Sequence, residues 1–283
     1  MVISSVQIRN FRKLKNCHID FDKQQTVFVG ANNSGKTSAI SAIVWFLKNT
    51  DKFTLKEFTA TNWEAIDQLG DQWLANDPVD EALLDAHQWD SIVPSMDVWI
   101  DVEDGEQYRV NHLIPSLSTW EGKTVGVRCQ YEPIDASTLY KNYKQAKEKA
   151  SSLMLTEEYK KASSPTLFPR NLCDFLGKGT NLRDYFVVKY YIIDPVSEPA
   201  EENKTQATPD SGLDKNPLSE LIRVDTILAS RDFTDPQGLS DSEIDTLSKQ
   251  FQKYYSSSNQ DDADLTPTGT CKWHSKGKRN LRC

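Results

Sequence analysis

The sequence predicts an α/β fold built around one glycine-rich turn, and three observations lead to that prediction. Residues 26–29 read Thr-Val-Phe-Val, a short apolar run of β-prone residues that is typical of a buried strand. Residues 30–37 follow the pattern Gly-x-x-x-x-Gly-Lys-Ser/Thr at every fixed position. Apolar residues then recur at helical spacing as far as Leu47, which predicts a helix over 36–48.

The turn at residues 30–37 has the chemistry of a phosphate-binding loop, or P-loop. Its two glycines let the backbone curl so that successive N–H groups point at phosphate oxygens. Lys36 is expected to reach the β- and γ-phosphates of ATP, and the Thr37 hydroxyl is the expected Mg²⁺ ligand. The helix that follows favours an anion at its N-terminus. The predicted nucleotide-binding residues are Gly30, Ala31, Asn32, Asn33, Ser34, Gly35, Lys36, Thr37 and Ser38.

Alternating apolar residues predict further strands on both sides of this unit. Residues 2–9 and 19–21 predict a strand pair that leads into the loop strand. Residues 96–103 alternate again, and the dipeptide Asp104-Gly105 predicts a hairpin into residues 105–114. With a further strand over 123–132, we expect an antiparallel sheet beside the nucleotide-binding core.

Residues 1–50 resemble the start of RecF/SMC-type ATPases, which belong to the ABC class. The likeness lies in the stretch VQIRNFRKLKNCHIDFDKQQTVFVGANNSGKTSAISAIVWFL, including the asparagine pair before Ser34. Within that group the chain is most similar to the OLD family of ATP-dependent endonucleases and its AAA-15-type relatives. The later segments TWEGKTVGVRCQYEP, YYIIDP and LIRVDTILASRDF contribute to that similarity.

The resemblance implies a fold, a reaction and one more site residue. The fold would be the N-terminal lobe of an ABC-type ATPase head, a P-loop NTPase with a mixed sheet around the loop helix plus an antiparallel sheet, over residues 1–233. The parent activity would be ATP-dependent DNA cleavage, often in defence against phage. Arg12, from the Asn-Phe-Arg triplet, would lie close to the nucleotide. A solvated arginine at a strand end is the alternative.

Several parts of a complete ABC-type enzyme are not evident in the sequence. Tyr190 to Asp194 resembles a Walker B strand, but Pro195 stands where a catalytic glutamate is expected, and no Ser-Gly-Gly-type signature precedes it. We therefore expect a structural strand there. No candidate for a Toprim nuclease domain follows. We interpret the chain as an isolated ATP-binding lobe, truncated or frame-shifted. The alternatives are a regulatory module completed by a partner chain and a small self-sufficient P-loop NTPase that uses Asp194.

Charge and composition set expectations about partners and location. The net charge of −8 excludes a generic polyanion binder, so any DNA contact would be a local patch. The best candidate patch comprises Lys141, Lys144, Lys147, Lys149, Lys160 and Lys161. The favoured interpretation of these lysines is nevertheless an ordinary solvated helix face. We expect a homodimer or a partner ATPase or nuclease chain, a polar linker or helical arm over 234–270, and a disordered basic tail over 271–283. The wide cysteine spacing and the lack of a long apolar stretch predict a cytoplasmic protein without a membrane span.

Overall fold

A six-stranded antiparallel sheet dominates the computed structural model, which describes residues 1–76, 79–114, 120, 123–154, 167–193, 205–206 and 216–226. The strands are β1 (Val2–Phe11), β2 (Leu14–Asp20), β3 (Ser95–Asp101), β4 (Thr124–Pro133), β5 (Phe186–Ile193) and β6 (Thr205–Gln206). They lie in the order β2-β1-β3-β4-β5-β6. The chain divides into two units, Met1–Val224 and Asp225–Cys283, and the account below concerns the first.

Five helices lie among the described residues of the first unit. They are α1 (Lys36–Leu47), α2 (Trp63–Ala75), α3 (Ala136–Met154), α4 (Leu172–Gly177) and α5 (Asn181–Tyr185). Short 3₁₀ turns fill much of the remaining connections, at Thr50–Lys52, Leu55–Glu57, Ala60–Asn62, Glu81–Leu84, Ala86–Trp89, Gln107–Arg109 and Asn111–Leu113. The order of strands and helices makes this a mixed α/β fold.

One face of the sheet forms the hydrophobic core. Its side chains include Val6, Ile8, Met96, Val98, Val127, Cys129, Val188 and Tyr190, all buried. Helix α1 packs onto this side through Phe46, which is fully buried and whose ring centroid lies 5.0 Å from that of Phe53. Phe53 in turn stacks on Tyr131 of β4 at 4.4 Å. This aromatic contact fixes α1, and therefore the loop that precedes it, relative to the sheet.

The other face carries polar side chains that are buried near its centre. Asp97 on β3 accepts hydrogen bonds from Nε and Nη2 of Arg128 on β4, at 2.6 and 2.8 Å. Glu132, also on β4, accepts from the Tyr191 hydroxyl at 2.6 Å and lies 3.1 Å from Nζ of Lys189. Burial, with a smaller effect from Glu132, raises the pKa of Tyr191. The hydroxyl therefore stays a donor to the carboxylate, and these pairs satisfy charges that burial alone would penalise.

The structure confirms the predicted strand pair and loop helix, with α1 ending at Leu47. Two strand predictions were wrong. Residues 26–29 are irregular, with Val27 and Val29 exposed, although β2 has a free edge at one end of the sheet. Residues 105–114 form 3₁₀ turns instead of a hairpin arm, because β3 takes β4 as its partner. Ile222, Val224, Ile227 and Leu228 are apolar residues that could serve a buried strand, but the described part of that segment, residues 222–226, is irregular.

Candidate functional site

The loop at residues 30–37 turns into α1 through a left-handed glycine. Gly35 is the N-cap of α1 and has φ 102°, a conformation that favours glycine. A Cβ placed there would lie 3.0 Å from Cδ2 of Leu14 and 3.7 Å from Cε of Lys13. Glycine is therefore required at this position for its backbone angle and for the close approach of the β1–β2 turn.

The N-terminus of α1 is not capped by any side chain. Gly35 offers no side-chain acceptor, and the first turn contains no acidic residue. The N–H groups of the first turn lack intrahelical acceptors by geometry, so they carry the positive end of the helix dipole. Thr37 in this turn is exposed, whereas Ser38 is 9% exposed. This helix end therefore presents N–H donors and a hydroxyl to an incoming anion.

The Lys36 ammonium group lies inside the curve of the loop. Its Nζ donates to the carbonyl oxygens of Gly30 at 2.5 Å and Ala31 at 2.7 Å, and lies 3.3 Å from Oγ of Ser34. Ser34 N–H also donates to the Ala31 carbonyl at 3.2 Å. The loop is thus closed on the lysine that the sequence predicts to bind phosphate, and the positive charge sits at the centre of the loop.

Arg12 lies in the turn between β1 and β2, and it is held by Glu57. Its backbone N–H donates to the Glu57 carbonyl at 2.6 Å, and its Nη2 lies 3.4 Å from the Glu57 carboxylate. The guanidinium also stacks over Phe11 and Trp45, each ring centroid being 5.3 Å from Cζ. The contacts recorded for Arg12 are therefore with this aromatic and acidic pocket beside α1.

Lys13, the next residue, contacts the loop and was missed by sequence reasoning. Its Nζ donates to the main-chain carbonyl of Asn33 and lies 2.6 Å from Oδ1 of the same residue. Asn33 itself is left-handed, with φ 68°. Because the contact joins residues 20 apart in sequence through the fold, no local pattern signals it.

The structure therefore brings several of the predicted loop residues into contact with one another. Arg12, the predicted site residue from another segment, is instead paired with Glu57. Gly30, Ala31, Ser34 and Lys36 contact one another, while Asn32 is exposed on the loop. An ATP tail fits what is present: an uncapped helix N-terminus, a left-handed glycine and ammonium groups. A Mg²⁺ ion accompanying that tail would be held through the Thr37 hydroxyl together with phosphate oxygens.

Comparison with known proteins agrees with this geometry. Residues 1–266 match the family described as AAA ATPase domain, AAA-15. The chain belongs to this family. It is accordingly an ATP-binding ATPase module with a P-loop NTPase fold, as the sequence predicts.

Individual relatives match over shorter spans. An uncharacterized protein of Methanocaldococcus jannaschii is 48% identical over 50 residues, which is 18% of this chain and 14% of that protein. The chain thus spans only a small part of that relative's length. A solved structure from work on ATP-driven dimerization and DNA-stimulated activation of SMC ATPases is 19% identical, with a TM-score of 0.28. That match covers 48% of this chain and 66% of the other.

The predicted Walker B-like strand, the arm and the tail lie only partly within the described residues. The run from Tyr190 to Ile193 lies in β5, which pairs antiparallel with β4, so a strand is present there. Asp194 lies outside the described residues, and a purely structural role for this strand stays a prediction. The predicted arm over 234–270 and tail over 271–283 also lie outside them. None of the described helices has both the length and the hydrophobicity that a bilayer span requires.

The lysine-rich patch is also described in part. Lys141, Lys144, Lys147 and Lys149 lie on α3. Lys141 and Lys149 are exposed, whereas Lys147 donates to the Arg170 carbonyl at 2.8 Å. Lys160 and Lys161 fall outside the described residues.

Proposed function

We propose that this chain is the ATP-binding lobe of an OLD-like ATP-dependent DNA endonuclease, and that it binds MgATP at residues 30–37. The observation that supports the MgATP site is the Lys36 ammonium group enclosed by a loop that opens directly into an uncapped helix N-terminus. That arrangement concentrates positive charge and N–H donors on one small concavity, which suits a polyphosphate better than a single carboxylate.

Each residue has a defined task in this proposal. Lys36 leaves the carbonyls of Gly30 and Ala31 and binds the β- and γ-phosphates, while Thr37 ligates Mg²⁺. Arg12 approaches the nucleotide only after it leaves Glu57, because its guanidinium is paired there in the present conformation. The resemblance to OLD endonucleases supports the assignment to DNA processing and anti-phage defence.

The surface beside the loop supports a role for a second chain. Val27 is 68% exposed, Val29 is 88% exposed and Ile40 on α1 is 47% exposed. These three residues stand just before and just after the loop in the sequence, and exposed apolar side chains that lie together favour coverage by another protein surface. In the ATPase class that the chain resembles, ATP is sandwiched between one subunit's P-loop and another's signature motif. We propose a homodimer or a partner ATPase or nuclease chain, with slow hydrolysis by the isolated lobe.

A binding titration with labelled ATP and Mg²⁺ tests the site. Lys36→Ala is expected to weaken binding by about tenfold, or ~1.4 kcal/mol, because it removes the charge that binds the β- and γ-phosphates. Lys23→Ala is the matched control, since Lys23 is an exposed lysine in the segment before the loop. Equal affinities in the wild type and the Lys36 variant would refute the site assignment.

A turnover assay distinguishes the two-chain mechanism from a self-sufficient NTPase. If ATP must be enclosed by two chains, the rate per mole of protein rises with protein concentration or on addition of a partner. A rate per mole that is independent of concentration, at a typical NTPase turnover, supports the small self-sufficient NTPase. Stimulation of turnover by duplex DNA is expected if the lobe serves a DNA-processing enzyme, and a turnover indifferent to DNA argues against that role.

A further inference from the structure

The turn between β1 and β2 reaches the P-loop through Lys13. Its ammonium group donates to the Asn33 carbonyl and lies 2.6 Å from the Asn33 side-chain oxygen. The stem of the same side chain passes over Gly35, with Cε 3.7 Å from the position that a Cβ would occupy there. Lys13 therefore spans the two residues that flank Ser34, in the middle of the loop.

The backbone that presents Lys13 is strained and tightly held. Asn10 and Arg12 have φ of 56° and 51°, left-handed values that cost free energy for residues with a Cβ. Hydrogen bonds to two other segments maintain them. Arg12 N–H donates to the Glu57 carbonyl at 2.6 Å, Thr59 N–H donates to the Asn10 carbonyl at 3.1 Å, and the Asn10 side chain donates to the Ser91 carbonyl at 2.9 Å. Such fixed strain is characteristic of positions where a side chain must be placed for function.

The partner that Lys13 has in this conformation does not explain that placement. Both acceptors belong to Asn33 and are neutral, and the lysine side chain is exposed, so water competes for the same donors. Neither of these two acceptors is an anion, so they do not compensate the charge of the ammonium group. That charge lies directly beside a loop whose chemistry suits a polyanion. A phosphate oxygen is a stronger acceptor for an ammonium group than an amide oxygen.

We propose that Lys13 is a second lysine of the phosphate site, which binds the polyphosphate tail of the nucleotide alongside Lys36. The proposal rests on the proposed function, since it requires a nucleotide at residues 30–37. In the nucleotide-free loop Lys13 holds Asn33, and with nucleotide present its ammonium group contacts a phosphate oxygen. The two lysines then approach the tail from different elements, Lys36 from α1 and Lys13 from the β1–β2 turn.

The experiment measures dissociation constants for MgATP in the wild type and four variants. Lys13→Ala and Lys13→Gln are expected to weaken binding by about five- to tenfold, because both remove the charge, whereas Lys13→Arg retains it and stays near wild type. Lys15→Ala is the matched control, because Lys15 is an exposed lysine two residues further on in β2. Melting temperatures of the free variants are expected to match the wild type, since Lys13 is exposed.

The outcomes separate this proposal from the proposed function. A wild type that does not bind MgATP refutes the nucleotide site itself. A wild type that binds, with Lys13→Ala of equal affinity, overturns the role of Lys13 alone. A Gln variant that keeps wild-type affinity while the Ala variant loses it also overturns the proposal, because a hydrogen bond to Asn33 would then be sufficient. Binding of the Ala variant is expected to depend less on salt than that of the wild type.

Discussion

The indole ring of Trp99 lies over Gly126, its direct partner across the β3–β4 ladder, so closely that no side chain fits beneath it. A Cβ on Gly126 would fall 2.1 Å from Cζ3 of Trp99 and 2.7 Å from Cγ1 of Ile193. Gly126→Ala is therefore expected to destabilise the fold by about 1–3 kcal/mol through overpacking. Chemical denaturation followed by circular dichroism measures this change.

Trp99→Leu provides the control for that prediction. In the double variant with Gly126→Ala, the smaller side chain makes room for the methyl group, so the two changes are expected to be non-additive. Simple additivity would show that the strain comes from Ile193 or from the backbone instead of Trp99.

Asp97 is expected to be the most costly carboxylate to remove. It is 1% exposed and accepts hydrogen bonds from Arg128 and, at 2.7 Å, from Arg9. Asp97→Ala removes the carboxylate from the buried guanidinium group of Arg128 and from the partly exposed one of Arg9, which we expect to cost about 3–5 kcal/mol of the free energy of unfolding. Asp101→Ala, on the exposed end of the same strand, is expected to change it by less than ~0.5 kcal/mol. Similar losses in the two variants would contradict this account of the pair.

Asp135 caps helix α3 and makes its stability depend on pH. Its carboxylate accepts from the Thr138 hydroxyl at 2.5 Å and from the backbone N–H groups of Ser137 and Thr138. The Thr138 hydroxyl bond is the main cause of a lowered pKa at Asp135, opposed by some desolvation. Because the folded pKa lies below the unfolded one, the stabilisation is complete above the unfolded pKa and is lost as pH falls through the folded value.

Two substitutions at Asp135 separate the cap from its charge. Asp135→Ala is expected to cost about 1 kcal/mol at neutral pH, because helix N–H groups lose their acceptor. Asp135→Asn keeps an effective cap but removes the titrating group, so its stability is expected to fall less steeply in acid than that of the wild type. Thermal melts across the acid range measure both effects, and parallel pH profiles for wild type and Asn variant would exclude the carboxylate as a contributor.

The loop and its helix were predicted well because the glycine-rich motif and the helical spacing of apolar residues both lie within one short segment. The Gly35-Lys36 dipeptide of the motif predicts where α1 begins, and the helical spacing of apolar residues predicts that it extends to about Leu47, where it ends. Residues 26–29 show the opposite case. Their β-prone composition suits a strand, but strand formation also depends on pairing and packing within the fold, and here the segment is irregular with Val27 and Val29 exposed. Sequence periodicity contains no information on whether a pairing partner will be in place.

The site was predicted less completely than the helix for a related reason. Glu57 holds Arg12 through a contact between residues 45 apart, and Lys13 reaches Asn33 across 20 residues. Such pairs depend on how the β1–β2 turn sits against the loop, which is a property of the assembled sheet. The motif therefore identified the residues of one segment, whereas the residues contributed by another segment required the fold.

The strand order also has a consequence for how the protein folds. β1 pairs with β3, and the ion pair between Arg9 and Asp97 on these strands joins residues 88 apart. The loop, α1 and α2 all lie within the connection between those two strands. The ends of this long connection must therefore come together before β1 and β3 can pair at the centre of the sheet. Closure over such separations slows folding far more than it lowers final stability. Once formed, the ladder anchors both ends of this connection, so a local rearrangement of the loop would not require the sheet to come apart.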